Sequence, residues 1–213
     1  MKLWIFGDSY AQDHGVDTQW QRLLAEHYQC DIQFDALAGY SNQRILWGVK
    51  QQLPQIQSDD VVIVITTDCM RQWFWQDYPQ YSNYYNLKQL EMPNSAANWQ
   101  ALQHYTRWLI NPVADQFTYE CQLAWLNSLS CNTVIIPAFA NLPTENALTE
   151  LVSEQEFLDA QHQKLWRQRG PDTRLNHLST YNHVVLAHKI SQQLDLAQPV
   201  DLSRDFHTHF LTV

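Results

Sequence analysis

A serine one residue past an aspartate, where an apolar run ends, is the first place in this sequence that could do covalent chemistry. Met1 to Phe6 runs straight into Gly7-Asp8-Ser9, the pattern of a buried parallel strand that ends in a tight turn. A hydroxyl held there, above the carboxyl end of a sheet, becomes a nucleophile when a nearby imidazole takes its proton. The competing use of a Gly-Asp-Ser tripeptide is a turn with a capping serine. His177, in Leu175-Asn176-His177-Leu178-Ser179 and directly before a helix-like segment, is positioned to reach the same sheet edge as general base. Its bland alternative is a surface histidine, one of 9 in the chain.

These residues need a scaffold, and the hydrophobic pattern supplies one. Thr18 to Tyr28 has apolar or aromatic residues at a helical period, with Asp17 or Thr18 available as N-cap. Ile32 to Leu37 reads as a second strand, Gly39-Tyr40-Ser41-Asn42 as a turn, and Asn42 to Leu53 as a helix capped by Ser41 and stopped by Pro54. Asp60 to Thr66 holds five consecutive β-branched residues, Val61 to Ile65, and its lack of alternation predicts burial on both faces. Trp99 to Leu129 reads as a long helical stretch, Thr133 to Pro137 as a further strand, and Glu154 to Arg167 and Ser179 to Leu194 as helices. The expected fold is α/β: a three-layer, flavodoxin-like sandwich with a central parallel sheet, whose ligands bind beyond the carboxyl ends of the strands. Gly7-Asp8-Ser9, Gly39 to Asn42 and Thr66-Thr67-Asp68 all follow strands. The chain is expected to form one domain over residues 1–213, with an aromatic-rich insertion or lid at about 70–98 and a C-terminal tail at about 195–213.

Composition narrows the function. The 213 residues carry 13 Lys+Arg against 22 Asp+Glu, a formal charge of -9, and no basic run, so nucleic acid is not an expected partner. Apolar runs as short as Leu3 to Phe6 cannot span a bilayer, and no membrane partner is expected. The N-terminus lacks the long apolar core of a signal peptide, which points to a cytoplasmic location. Cys30, Cys69, Cys121 and Cys131 match no metal or disulfide spacing and read as reduced thiols, mostly core fillers.

With these residues in view, the sequence resembles the SGNH/GDSL hydrolase superfamily. Phe6-Gly7-Asp8-Ser9 matches its first block, Ala38-Gly39-Tyr40-Ser41-Asn42 its second, and His177-Leu178-Ser179 through His183 and Ala187 its last, in order and over residues 1 to about 190. The Ser41-Asn42-Gln43-Arg44 helix start and Arg71 also resemble phage-associated members, which would place the protein in a host cytoplasm or virion. The resemblance implies Ser9 as nucleophile, His177 as base, and an oxyanion hole built from the backbone N–H groups of Ser9 and Gly39. Two departures stand out. The family's third block carries an Asn where this chain has Thr67, so the Thr67 hydroxyl or Asn42 must assist the oxyanion. The family's acid lies three residues before the His, where this chain has Arg174; Asp172 is the nearest carboxylate, and otherwise the site is a Ser-His dyad.

The resemblance implies a serine esterase, cleaving a small acyl ester, acetyl above all, on a small molecule or a polysaccharide, with no metal and no cofactor. The aromatic segment offers Trp73 and Trp75 as a substrate platform, or else a packed satellite core. Arg71 is the cation expected near the site, for an anionic substrate group or for pairing with Asp68. His207 and His209 read as tail residues, and Asp13 and His14 do not read as a metal cluster with Asp8. Two other functions compete: a non-catalytic binding or virion-structural module, and an O-acyltransferase using the same acyl-enzyme.

Overall fold

The computed structural model describes residues 1–73 except 14, 16, 18 and 70, residues 100, 104 and 107–138, and residues 178 and 180–196. The expected lid beyond residue 73, the helix over Glu154 to Arg167 and the C-terminal tail beyond 196 lie outside the described residues.

Among the described residues, strands β1 (Lys2–Gly7), β2 (Asp31–Ala36), β3 (Val61–Thr66) and β4 (Asn132–Pro137) form one parallel sheet in the order β2-β1-β3-β4. Helices α1 (Trp20–Tyr28), α2 (Asn42–Gln52), α3 (Pro112–Asn127) and α4 (Thr180–Leu196) cover it. The expected α/β sandwich is what the chain builds. Strand β1 pairs with both β2 and β3, so the winding reverses there, and the connections after β1 and β3 leave a crevice at their carboxyl ends.

Alternate strand residues feed two cores. Leu3, Ile5, Val61, Ile63, Ile65, Val134 and Ile136 pack with Trp20 and Leu24 of α1 and with Leu186, Ala187 and Ile190 of α4. On the other face, Trp4, Phe6, Val62 and Val64 pack with Ile45 and Val49 of α2 and Leu126 of α3. All of β3 is buried, as its unbroken β-branched run predicts. Each fully buried Val or Ile contributes about 1.5–3 kcal/mol, so β3 is the strand on which both layers depend.

Local signals hold to different degrees. Ser41 caps α2, its Oγ accepting from the Arg44 N–H at 3.3 Å; Pro54 sits in a short 3-10 turn, Leu53–Gln55, that follows α2. The stretch from Trp99 to Leu129 is not one helix: residues 109–111 are non-helical, and α3 restarts at Pro112 with the Asn111 side chain accepting from Ala114 N–H at 3.2 Å. Proline at the first helical position and Asn as N-cap explain the break. Helix α1 begins two residues later than expected, with Gln19 as an N-cap that makes no side-chain hydrogen bond. Its first amide is met from elsewhere in the chain: Trp20 N–H donates to Nδ1 of buried His183, on α4, at 3.4 Å. The cysteines are free thiols: half-buried Cys30 and Cys131 pack against the two cores, Cys69 is half-buried, and Cys121, against expectation, is exposed.

At the amino end of the sheet, Asp60 ties three segments together. Its Oδ1 accepts from Lys2 N–H at 2.7 Å, and its Oδ2 from Trp4 Nε1 at 2.9 Å and Gln57 N–H at 3.0 Å. Burial alone would raise this carboxyl, but the donors, Gln57 first and then Trp4 and Lys2, hold it below the ordinary carboxylate range. A group depressed in the folded state stabilises above its unfolded value and loses that contribution as pH falls through the folded one. Asp60→Ala is expected to cost about 1–3 kcal/mol at neutral pH. In denaturant titrations the gap to wild type should narrow as pH drops below about 4; a gap that stays constant into acid would show that the charge plays no part.

Candidate active site

Three turns from three adjacent strands meet at the carboxyl edge, with β1 in the middle. After β1, Ala11 N–H closes a turn onto the Asp8 carbonyl at 3.1 Å, and Tyr10 N–H donates to Asp8 Oδ1 at 3.1 Å, an Asx turn. Ser9 is a central residue of this turn and is 8% exposed. It is not at a helix N-terminus, since α1 begins only at Trp20. Gly7 allows the turn to fold back: a Cβ there would lie 2.7 Å from the Ala11 Cβ and 2.9 Å from the Ile65 Cβ. Any side chain at position 7 would push the Ser9 turn off the sheet.

The second turn is joined to the first, with Leu37 N–H donating to the Gly7 carbonyl at 3.3 Å. Tyr40 N–H then bonds the Leu37 carbonyl at 3.2 Å, and Gly39 between them has φ +85°. That conformation is the third position of a type II turn, which selects glycine. Gly39 leads directly to Ser41 and the start of α2.

The third turn follows β3 and is fixed from two helices. Thr66 Oγ1 shares a 2.8 Å hydrogen bond with Tyr119 Oη of α3. The next residue, Thr67, is gripped by Asn42 at the first position of α2: Asn42 Nδ2 donates to the Thr67 carbonyl at 2.9 Å, and Thr67 N–H donates to Asn42 Oδ1 at 2.9 Å. Asn42 is 3% exposed and Thr67 2%. The amide of Asn42 thus closes a two-bond ring on the Thr67 backbone and keeps one Nδ2 hydrogen uncommitted by these bonds. Thr67 Oγ1 is buried and makes no hydrogen bond of normal geometry among the described residues, yet it lies near enough to Asp8 to favour the charged carboxylate.

Charge at this edge is concentrated on Asp8, which is 0% exposed. Burial pushes its carboxyl up, and the Arg71 guanidinium and the Tyr10 N–H oppose that shift. Arg71 Nη1 donates to Asp8 Oδ2 at 3.0 Å. Pairing of Arg71 with Asp68 was one expectation from sequence; the side chain pairs with Asp8 instead, while the Arg71 N–H bonds the Asp68 carbonyl at 3.1 Å. The two residues after Arg71 build a wall. Gln72 links Gln43 of α2 to Asp115 of α3, with both contacts at 3.0 Å. Trp73 packs on Trp47 of α2 with centroids 5.6 Å apart, and Arg44 stacks on Trp47 and on Tyr40.

The structure therefore brings Ser9, Gly39, Asn42, Thr67 and Arg71 to one edge and places Trp73 beside them. His177, Asp172 and Trp75 lie outside the described residues. Among the described residues, no group of three or more His, Cys, Asp or Glu could hold a metal ion, and no helix is long and apolar enough to cross a membrane. The sequence reading missed the wall contributed by Gln43, Trp47, Gln72 and Asp115. Gln43 and Trp47 stand four apart on α2, a spacing that puts them on one face, but nothing local ties that face to position 72.

No family model and no curated protein matches the chain. Among solved structures it is similar to a member of the lipolytic protein G-D-S-L family from Veillonella parvula DSM 2008, with 11% identity, a TM-score of 0.37, and coverage of 92% of this chain and 97% of that one. The α/β assignment rests on the chain's own sheet and helices.

The Asn42–Thr67 ring makes a sharp prediction. Asn42→Asp would set a carboxylate oxygen against the Thr67 carbonyl in place of a donor, and is expected to destabilise by about 1–3 kcal/mol. Asn42→Gln, with the same groups on a longer stem, should recover little of it. Chemical denaturation of both variants checks this, and an Asn42→Asp variant of wild-type stability would rule out the ring.

Proposed function

We propose that the protein is a serine ester hydrolase that cleaves a small acyl ester, acetyl above all, through an acyl-Ser9 intermediate. The observation that carries this reading is the convergence at one sheet edge of the Ser9 turn, the left-handed Gly39 turn and the clamped Thr67. A serine flanked by backbone amides and small polar groups, at the switch point of a parallel sheet, is suited to acyl transfer. Leu178, the chain neighbour of His177, is buried in the same core as Tyr10 and Ala11, which favours His177 as the base.

In this mechanism Ser9 Oγ attacks the ester carbonyl carbon while His177 takes the hydroxyl proton. The tetrahedral oxyanion is held by the N–H groups of Ser9 and Gly39, assisted by the Thr67 hydroxyl or the uncommitted Nδ2 hydrogen of Asn42. Each such donor is worth about 2.7–4 kcal/mol in the transition state. Collapse breaks the bond to the leaving alcohol, which receives the proton from His177. Water then repeats the sequence on the acyl-enzyme, releasing the acid and restoring Ser9. Asp172 orients the imidazole. The polar Gln43–Gln72–Asp115 wall and the tryptophans beside it favour a hydroxylated acyl carrier, such as an acetylated carbohydrate, over a long-chain lipid.

Fluorophosphonate labelling read by intact mass tests nucleophile activation without a known substrate. Wild type is expected to take one label, and Ser9→Ala and His177→Ala to take none. A folded wild-type protein that stays unlabelled would overturn the esterase and leave a binding module as the reading to pursue.

A further inference from the structure

Arg71 looks from sequence like a residue for an anionic substrate, but its place in the structure assigns it a different task. We propose that Arg71 is a positioning residue for the nucleophile: through Asp8 it sets the turn that carries Ser9. This inference rests on the ester-hydrolase reading.

The geometry gives the chain of cause. The turn that presents Ser9 is held on its near side by Asp8, whose carbonyl accepts from Ala11 N–H and whose Oδ1 accepts from Tyr10 N–H. On its far side it is held by α1, where Trp20 Nε1 donates to the Tyr10 carbonyl at 3.0 Å and Gln21 Nε2 to the Ala11 carbonyl at 3.0 Å. Ser9 lies between these two anchors. The near anchor is no firmer than the Asp8 rotamer, and that rotamer is fixed at its second oxygen by Arg71 Nη1. With Asp8 0% exposed, the guanidinium and not bulk water meets its second oxygen. Arg71 is itself pinned, its side chain 15% exposed and its backbone closing the turn from Asp68. Gln72 and Trp73 follow it immediately, and each is locked onto α2, with Gln72 also bonded to α3. One guanidinium therefore registers the nucleophile's turn against the loop after β3, across 63 residues of sequence. A positioning role of this kind is felt in the reaction and not in substrate affinity, because a displaced nucleophile loses near-attack geometry while the binding wall stays in place.

The test is the rate of fluorophosphonate labelling at Ser9, measured with the melting temperature of each variant. Arg71→Gly is expected to label about 10²-fold more slowly than wild type, the cost of roughly 1 Å of misplacement. Added guanidinium should restore part of the rate, and sodium at equal ionic strength should restore none. Arg71→Lys should fall between the two, since it keeps the charge but loses the planar fork. On a short-chain ester the loss should appear in kcat with KM little changed. Because Arg71→Gly strands a buried carboxylate and can fail to fold, the charge-free pair Asp8→Asn/Arg71→Gln provides a second measurement, also expected to be folded and slow. Wild-type labelling rates in that double variant, or a folded Arg71→Gly that guanidinium does not rescue, would overturn the positioning role and leave the hydrolase intact. A wild type that never labels would instead overturn the hydrolase, and this role with it.

Discussion

A carboxylate with no exposed surface sits at the end of the central strand, and the carboxyl edge is organised around satisfying it. Taking an ionised group out of water costs several kcal/mol even after relaxation, so Asp8 can persist only with partners at both oxygens. The Tyr10 amide meets one and Arg71 the other. Each partner has a structural consequence: the first makes the Asx turn that lifts Ser9 off the sheet, and the second draws the segment after β3 over the segment after β1. The crevice expected at the switch point of a parallel sheet is here bridged by an ion pair.

The sheet makes that bridge possible by placing the three strand ends in one row. Since β1 lies between β2 and β3, the turns that follow them are neighbours in space though far apart in sequence. Their mutual alignment is left to side chains from the helices. Asn42 hydrogen-bonds to the Thr67 backbone in the way a neighbouring strand would, and Tyr119 fixes Thr66 from α3. Both helices are seated in the core that Trp4, Phe6, Val62 and Val64 share with Ile45, Val49 and Leu126. Packing in the layer below thus reaches the site through two hydrogen-bonded side chains, each buried and each attached to a helix that the core holds rigid.

What was legible in the sequence follows from how local each cause is. The run Val61 to Ile65 can only be a strand buried on both faces, Ser41 caps the helix that starts beside it, and Gly7 and Gly39 stand where a close approach and a positive φ demand them. Those four features place the sheet, its edge and the turns. The failures have distant causes. The first amide of α1 donates to His183, 163 residues away, a contact that no local cap signal encodes. The break before α3 has a local signal, Asn111-Pro112, that a single helix over Trp99 to Leu129 does not accommodate. Asn42 and Arg71 were recognised as site residues, yet their partners, Thr67 and Asp8, depend on strand order, which no local pattern encodes.

The same ion pair bears on the chemistry through its field. Asp8 adjoins Ser9, and on the acyl-transfer reading a negative charge develops at the oxyanion when Ser9 attacks. An unpaired buried carboxylate next to that oxyanion would oppose it, since like charges repel more strongly in a low-dielectric site than in water. Neutralising Asp8 with a guanidinium removes most of that opposition and leaves the fixed dipoles of the Ser9 and Gly39 amides to act without it. With Oδ1 taken by the Tyr10 amide and Oδ2 by Arg71, Asp8 is not the carboxylate that the acyl-transfer reading uses to orient the base. On that reading the orienting group is the proposed Asp172, the nearest acid to His177 in the chain. Asp8, the residue before the proposed nucleophile, therefore carries a structural charge that is paired within the fold.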